Sequence, residues 1–235
     1  MEQPMSIAEN IARVRAELAD AAREAGRRPE EILLVGASKM NDAAACREAI
    51  AAGVDALGEN RVQEMVQKLS EHAYDGAPLH FIGHLQRNKV NKVVGAAALI
   101  QSVGSLALLD EIEKTAARLD LRQDILLEVN IGGEAAKSGF APGDLSAAAE
   151  AALSRDHVRV RGLMTIPPAD ADQAANMRYF QEVHTLYVDI NEKLFHNELK
   201  YLSMGMSGDY ADAVRAGATM VRVGTAIFGA RNYAL

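Results

Sequence analysis

Short apolar runs alternate with helical patterns along this sequence, and that alternation limits the folds open to it. The runs cover 32–38, 55–58, 79–83, 99–103, 124–130, 158–164, 201–206 and 220–224. Between them, helical spacing occupies 42–52, 61–73, 86–94, 105–119, 144–154, 170–196 and 209–216. Strand, helix, strand in sequence implies parallel pairing through a crossover. The runs are continuously apolar, as expected when both faces of a strand are covered. Eight such units can close into a barrel; an open doubly wound sheet is the competing arrangement. The count of eight favours the barrel, as does the lack of a complete G-x-G-x-x-G turn after any run.

One helix precedes the alternation. Ser6 can cap it, Ile7, Ile11, Val14, Leu18 and Ala22 share a face, and Gly26 ends it. No stretch reads as a linker. Residues 1–235 are therefore expected to form a single α/β domain, a (β/α)8 TIM barrel with an extra N-terminal helix.

In such barrels the chemistry gathers at the C-terminal ends of the strands. Those ends carry Ser38-Lys39, then "GENR" from Gly58 to Arg61, then "IGHLQRNK" with His84. Gln101-Ser102, Glu128 and Asn130, and Met164-Thr165 follow, then "SMGMSGD" and "VRVGTAIFG". Phosphate sites are often built from the loops after strands 7 and 8. Ser207-Gly208 and Gly224-Thr225 occupy those places. Glycine lets the backbone approach an anion, and hydroxyl and main-chain N–H groups can donate to it. Ordinary turn and capping residues would look similar, but two such pairs at the expected places favour a phosphate.

Arg222 lies two residues before Gly224, so the two share a face of strand 8. If that face is inward, Arg222 serves either a structural salt bridge or a ligand. Lys39 ends strand 1, where burial and a neighbouring cation can make an amine nucleophilic. A nucleophilic lysine facing a phosphate suggests a Schiff base with a phosphorylated aldehyde or ketone. The choices are a sugar-phosphate aldolase or pyridoxal 5′-phosphate; a rim lysine in a salt bridge is the plain alternative.

Charge and composition exclude other classes. The formal net charge is −7 and no block of basic residues occurs, which argues against nucleic acid or an anionic membrane as a partner. No run approaches the ~20 apolar residues of a membrane span. The N-terminus has no signal-like apolar core, so a cytoplasmic protein is expected. The single cysteine, Cys46, reads as a buried structural thiol on a helix. His80 and His84, on a strand, would stand roughly 13 Å apart, too far to share a metal. His84 reads as a structural histidine, and Glu59 and Glu64 read as rim or helix-face charges.

"ASKM", "LGENRVQE", "HFIGHLQRNK", "VNIGGEAAKSGF", "RGLMTIPP" and "LSMGMSGDYADAVRAGATMVRVGTAIFG" come in an order and spacing that resembles the pyridoxal phosphate homeostasis proteins. The resemblance runs from about residue 5 to residue 232. It implies a barrel similar to the N-terminal domain of alanine racemases, the fold-type III cofactor enzymes. It also implies that Lys39 forms the internal aldimine with pyridoxal 5′-phosphate, that Ser207, Gly224 and Thr225 hold the phosphate, that Arg222 faces the pyridine nitrogen and that Asn60 lies near the ring. An arginine there would keep the nitrogen unprotonated and weaken the ring as an electron sink. Met40 stands where a threonine is common, and Arg61 where a tyrosine is usual.

The resemblance favours a monomeric carrier of vitamin B6 cofactor that stores, buffers or delivers it, with apo-enzymes as partners. A racemase-like enzyme is the alternative. Alanine racemases append a second, β-rich domain, and the sequence to Leu235 leaves no room for one, so no robust catalysis is expected.

Overall fold

A computed structural model describes residues 5–134 and 138–229. Helix α1, Ile7–Glu24, begins at Ser6. The Ser6 hydroxyl accepts the Glu9 N–H and the Glu9 carboxylate accepts the Ser6 N–H, a reciprocal cap that satisfies two otherwise orphaned donors. Ile11, Val14, Leu18 and Ala22 are buried, at the spacing of one helical face.

The strands are β1 (Leu33–Ala37), β2 (Ala56–Glu59), β3 (Leu79–Phe81), β4 (Leu99–Val103), β5 (Gln123–Val129), β6 (Val158–Thr165), β7 (Tyr201–Ser203) and β8 (Met220–Val223). They close in sequence order into a parallel barrel, β8 pairing back onto β1. Helices α2 (Ala43–Ala51), α3 (Val62–Ser70), α4 (Val90–Val93), α5 (Leu106–Arg118), α6 (Leu145–Leu153), α7 (Gln173–Phe195) and α8 (Tyr210–Arg215) alternate with them. A short α9 (Thr225–Phe228), absent from the sequence pattern, follows β8. Helix α1 covers the closing seam. It packs on α8, α9 and α2, and Asn10 donates to the Ile227 carbonyl at 2.9 Å.

The expected strands are present, and β3 and β7 stop two and three residues before the ends of their apolar runs. The strand in the run at 79–83 ends at Phe81 and that in the run at 201–206 at Ser203, although the Ile82 and Met204 N–H groups still reach the Glu59 and Met220 carbonyls. Gly83 and Gly205 explain the early ends. A Cβ on Gly83 would meet the Asn60 carbonyl oxygen at 2.3 Å, and Gly205 has φ +90°, outside the strand region, though its carbonyl still accepts the Arg222 N–H.

Alternation splits six of the eight strands between two cores. Leu34, Leu57, Phe81, Ile100, Leu127, Leu163, Leu202 and Val221 face the helices. Val35, Ala56, Leu99, Leu126, Met164 and Met220 form a separate cluster inside the barrel. Fully burying one such large side chain stabilises the fold by about 1.5–3 kcal/mol. Among the described residues, no helix is long and apolar enough to cross a membrane, and no cluster of His, Cys, Asp and Glu could hold a metal ion.

Candidate functional site

One pleat above the apolar interior cluster, the inward positions become polar. Leu99 is followed inside by Gln101, Leu126 by Glu128 and Met220 by Arg222; His80 and Ser203 join them. Four of these make a chain across the barrel. Arg222 Nη1 donates to Ser203 Oγ at 2.6 Å, Ser203 Oγ donates to Gln101 Oε1 at 2.7 Å, and Gln101 Nε2 stands 3.0 Å from His80 Nδ1. With the amide as donor, His80 carries its proton on Nε2. Arg222 Nη2 also donates to the Thr165 carbonyl at 2.9 Å. Burial pushes the Arg222 pKa down to about 10, opposed by the charges of Asp209 and Glu128. Burial pushes His80 down to about 4, so it is neutral near pH 7.

The two readings open for Arg222 resolve in part. It is inward, 3% exposed, and its hydrogen-bond partners among the described residues are a hydroxyl and a carbonyl rather than a carboxylate. No salt bridge to Arg222 is present among the described residues.

The loops after β7 and β8 meet. Ser207 Oγ accepts the N–H groups of Gly224 at 3.1 Å and Ala226 at 3.2 Å. Thr225 opens α9 beside them and is exposed. Gly224 lies against the end of β1; a Cβ there would come 3.4 Å from the Ala37 carbonyl. Lys39 follows two residues later and is half-buried. The registers Ala37↔Gly58 and Val35↔Arg222 put Lys39 on the inward face, beside Asn60 when the β1–β2 register is carried on by two residues. The amide oxygen of Asn60 is buried with no hydrogen-bond partner. The six residues singled out from sequence thus gather on one side of the mouth, along β8, β1, β2 and the β7 loop.

The opposite side of the mouth is a cavity of about 610 Å³, with Asn60 on its near wall and His84, Ser102, Glu128 and Ser138 further round. Glu128 is 7% exposed and accepts both its hydrogen bonds from Ser138 Oγ, at 2.9 and 3.1 Å. Burial raises its pKa; Ser138, Arg222 and His84 pull it back. His84 is an exposed residue of this wall, not a structural core histidine. Lys137, from "VNIGGEAAKSGF", lies outside the described residues.

A second polar cluster lies behind β1 and β2. Glu59 is not a rim charge but fully buried, whereas Glu64 is a half-buried charge on α3, and both pair with Lys68 on the same helix, at 2.6 and 2.8 Å. Lys68 Nζ also donates to the Ser38 carbonyl at 2.8 Å, and Ser38 Oγ donates to Glu59 at 2.6 Å. The Met40 N–H donates to Glu64. Met40 has φ +62°, a left-handed conformation that costs an L side chain roughly 1–2 kcal/mol. Cys46 is buried nearby as expected, its pKa raised by burial. Inward polar residues at strand ends could have flagged Gln101, Glu128 and Ser203. Nothing in the helix pattern of α3 flagged Lys68.

Fold and rim define a barrel of the alanine racemase N-terminal class: the family model described as "Alanine racemase, N-terminal domain" matches residues 6–232. A protein of Pseudomonas aeruginosa named pyridoxal phosphate homeostasis protein is 42% identical over 228 residues, 97% of each chain. One of the same name from Aquifex aeolicus is 39% identical, covering 97% of this chain and all of its own. The structure of PipY from Synechococcus elongatus with pyridoxal phosphate bound superposes with a TM-score of 0.83 at 34% identity, over 95% of this chain and 100% of that one. An alanine racemase of Clostridium difficile shares the fold at 16% identity, with a TM-score of 0.69, and this chain covers 57% of it. The chain belongs to the pyridoxal phosphate homeostasis protein family.

Proposed function

We propose that this protein binds pyridoxal 5′-phosphate on Lys39 and takes part in cytoplasmic pyridoxal phosphate homeostasis, by storage, buffering or delivery to apo-enzymes. The observation that carries the reading is the convergence of a half-buried lysine and a hydroxyl-lined loop pair on one side of the barrel mouth. The residues suit the group. Ser207 and Thr225 offer hydroxyl donors to a phosphate dianion, and Gly224, whose N–H meets Ser207 Oγ, lets the backbone approach it. The orphaned amide oxygen of Asn60 marks a polar side chain that a bound group can satisfy. Arg222 has five N–H donors, and the interior chain fixes its plane for an acceptor such as a pyridine nitrogen. Pyridoxal phosphate, when bound, supplies an aldehyde for a lysine amine and a ring that can accept electrons.

Two things support a carrier without robust catalysis of its own. Relatives matched over their full length are named for homeostasis. A guanidinium held at the ring nitrogen would also leave the ring a poor electron sink. The direct test is an absorption spectrum of purified protein with added pyridoxal phosphate, before and after borohydride. A lysine-bound band that reduction makes permanent, with the mass adduct on Lys39, supports the reading. An adduct mainly on Lys89 or Lys137 would overturn the assignment.

One observation favours a second reading, a racemase-like enzyme. Glu128 is a carboxyl of raised pKa on the cavity wall, where it could take a proton. Incubation with alanine in deuterated water separates the two. Exchange of the α-proton at about 10 per second, typical of enzymes, and its loss in Glu128→Gln would establish the enzyme.

A further inference from the structure

Lys39 is held from behind by a buried ionic cluster that touches the peptide groups on both its sides. On the N-terminal side, the Ser38 carbonyl accepts from Lys68 Nζ at 2.8 Å, and the Ser38 hydroxyl donates to Glu59 at 2.6 Å. On the C-terminal side, the Met40 N–H donates to Glu64. Lys68 joins the two grips, bonding Glu59 at 2.6 Å and Glu64 at 2.8 Å. Its ammonium is therefore used in full: three donors, three acceptors. The side chains of Glu59 and Lys68 are 0% and 5% exposed.

Such a cluster is costly to build. Desolvating three charged groups can outweigh their mutual attraction, and an apolar packing of the same space would serve stability at least as well. Burial raises the Glu59 pKa, with Lys68 and Ser38 lowering it. What the cluster does that an apolar core could not is hold backbone polar groups. Without it the Ser38 carbonyl would keep only the Asn41 N–H at 3.1 Å and the Met40 N–H would lose its Glu64 acceptor, and Met40 sits at φ +62°, where the chain does not stay without support. Asn41 completes the turn, its amide donating to the Lys39 carbonyl at 3.1 Å. Every peptide group around Lys39 that these bonds reach is tied either to α3 or within the turn.

We propose that Lys68, Glu59 and Glu64 are positioning residues for Lys39: they fix the Ser38–Met40 turn so that the amine points into the mouth at the height of the phosphate loops. This rests on the reading that Lys39 is the attachment residue. The step they serve balances simply. The Lys39 nitrogen bonds to the aldehyde carbon, the aldehyde oxygen leaves as water, and the two protons of that water come from the amine.

The test uses the full chain, two ligands and two variants of Glu64, the most solvent-accessible member. Pyridoxal 5′-phosphate reports covalent attachment through its absorbance change. Pyridoxine 5′-phosphate has an alcohol in place of the aldehyde and reports the phosphate loops alone. Glu64→Ala removes the acceptor for Met40 and frees one hydrogen of Lys68. We expect attachment to slow by about 10- to 100-fold, the scale of a roughly 1 Å misplacement, with pyridoxine phosphate affinity within about 2-fold of wild type. Glu64→Gln keeps an acceptor oxygen and should restore most of the rate. Equal loss for both ligands would mean that the cluster merely holds the mouth together, and the proposal fails. An unchanged attachment rate in Glu64→Ala overturns it too, as does a Glu64→Gln variant as slow as alanine, which would point to charge rather than placement. Should Glu64→Ala fail to fold, by circular dichroism, Lys68→Met in a Glu59→Gln background gives the comparison at the Ser38 grip, leaving only the partly exposed Glu64 carboxylate without its ammonium. If wild type itself forms no Lys39 adduct while binding pyridoxine phosphate, the attachment reading falls, and the positioning role with it.

Discussion

The two inward layers of the barrel are separated by one pleat, about 6.6 Å along a strand, yet they obey opposite rules. The lower layer, Val35, Ala56, Leu99, Leu126, Met164 and Met220, is apolar and closed. The upper layer holds His80, Gln101, Ser203, Arg222 and Glu128, all buried and all hydrogen-bonded. Strands β4, β5 and β8 contribute to both: Leu99 and Gln101, Leu126 and Glu128, Met220 and Arg222. The difference teaches where the fold stores its stability and where it keeps its chemistry. A closed apolar layer needs only volume. A buried polar layer needs each partner in place, because an unsatisfied polar group in low dielectric is expensive.

The largest effect expected is on the mouth. Lys39→Ala should abolish the lysine-bound absorption band while the melting temperature stays close to wild type, since a half-buried rim lysine contributes little packing. Retention of the band would break the division of labour between the layers.

Leu126→Ala should do the reverse. A fully buried leucine in the lower layer leaves a cavity worth about 2–5 kcal/mol, read by denaturant unfolding. Attachment to Lys39 in the folded fraction should persist.

His80 tests the upper layer by pH. Folded His80 remains neutral down to about pH 4, whereas the unfolded imidazole takes a proton at its ordinary value of 6.5. Between those values the unfolded state binds more protons, so stability falls as pH falls from 6.5 toward 4, by about 3 kcal/mol in all. Unfolding curves of His80→Gln across that window should lose one proton's worth of slope. An unchanged slope would mean that His80 titrates normally inside the barrel.

The smallest effect belongs to the phosphate loops. Ser207→Ala or Thr225→Val removes one hydroxyl donor to a charged group, about 1.5–3 kcal/mol, so pyridoxal phosphate affinity should drop roughly 10- to 100-fold. Pyridoxal without its phosphate should be indifferent to both changes. Equal losses for the two ligands would make these residues turn formers only.

Much of this was legible in the chain. Alternating runs specified eight strands and their order, because short crossovers leave few ways to return a parallel strand. The period-2 rule put Arg222 and Gly224 on one face, and Ser6 announced α1. The ends of β3 and β7 were read too long, since the apolar Ile82 and Met204 continue the runs past the last strand residues up to Gly83 and Gly205.

By itself the sequence determined the architecture and the rim on which Lys39, Asn60, Ser207, Gly224 and Thr225 lie, because these follow from periodicity and strand order, which are local. Tertiary structure alone decided that Arg222 is held by Ser203 and Thr165 and that Glu59 is buried against Lys68. It also decided that the Ser207 hydroxyl reaches the N–H groups of Gly224 and Ala226. Those contacts join residues from 9 to 57 positions apart, on different strands, helices and loops. They depend on how the closed barrel brings their ends together, and no local pattern encodes that.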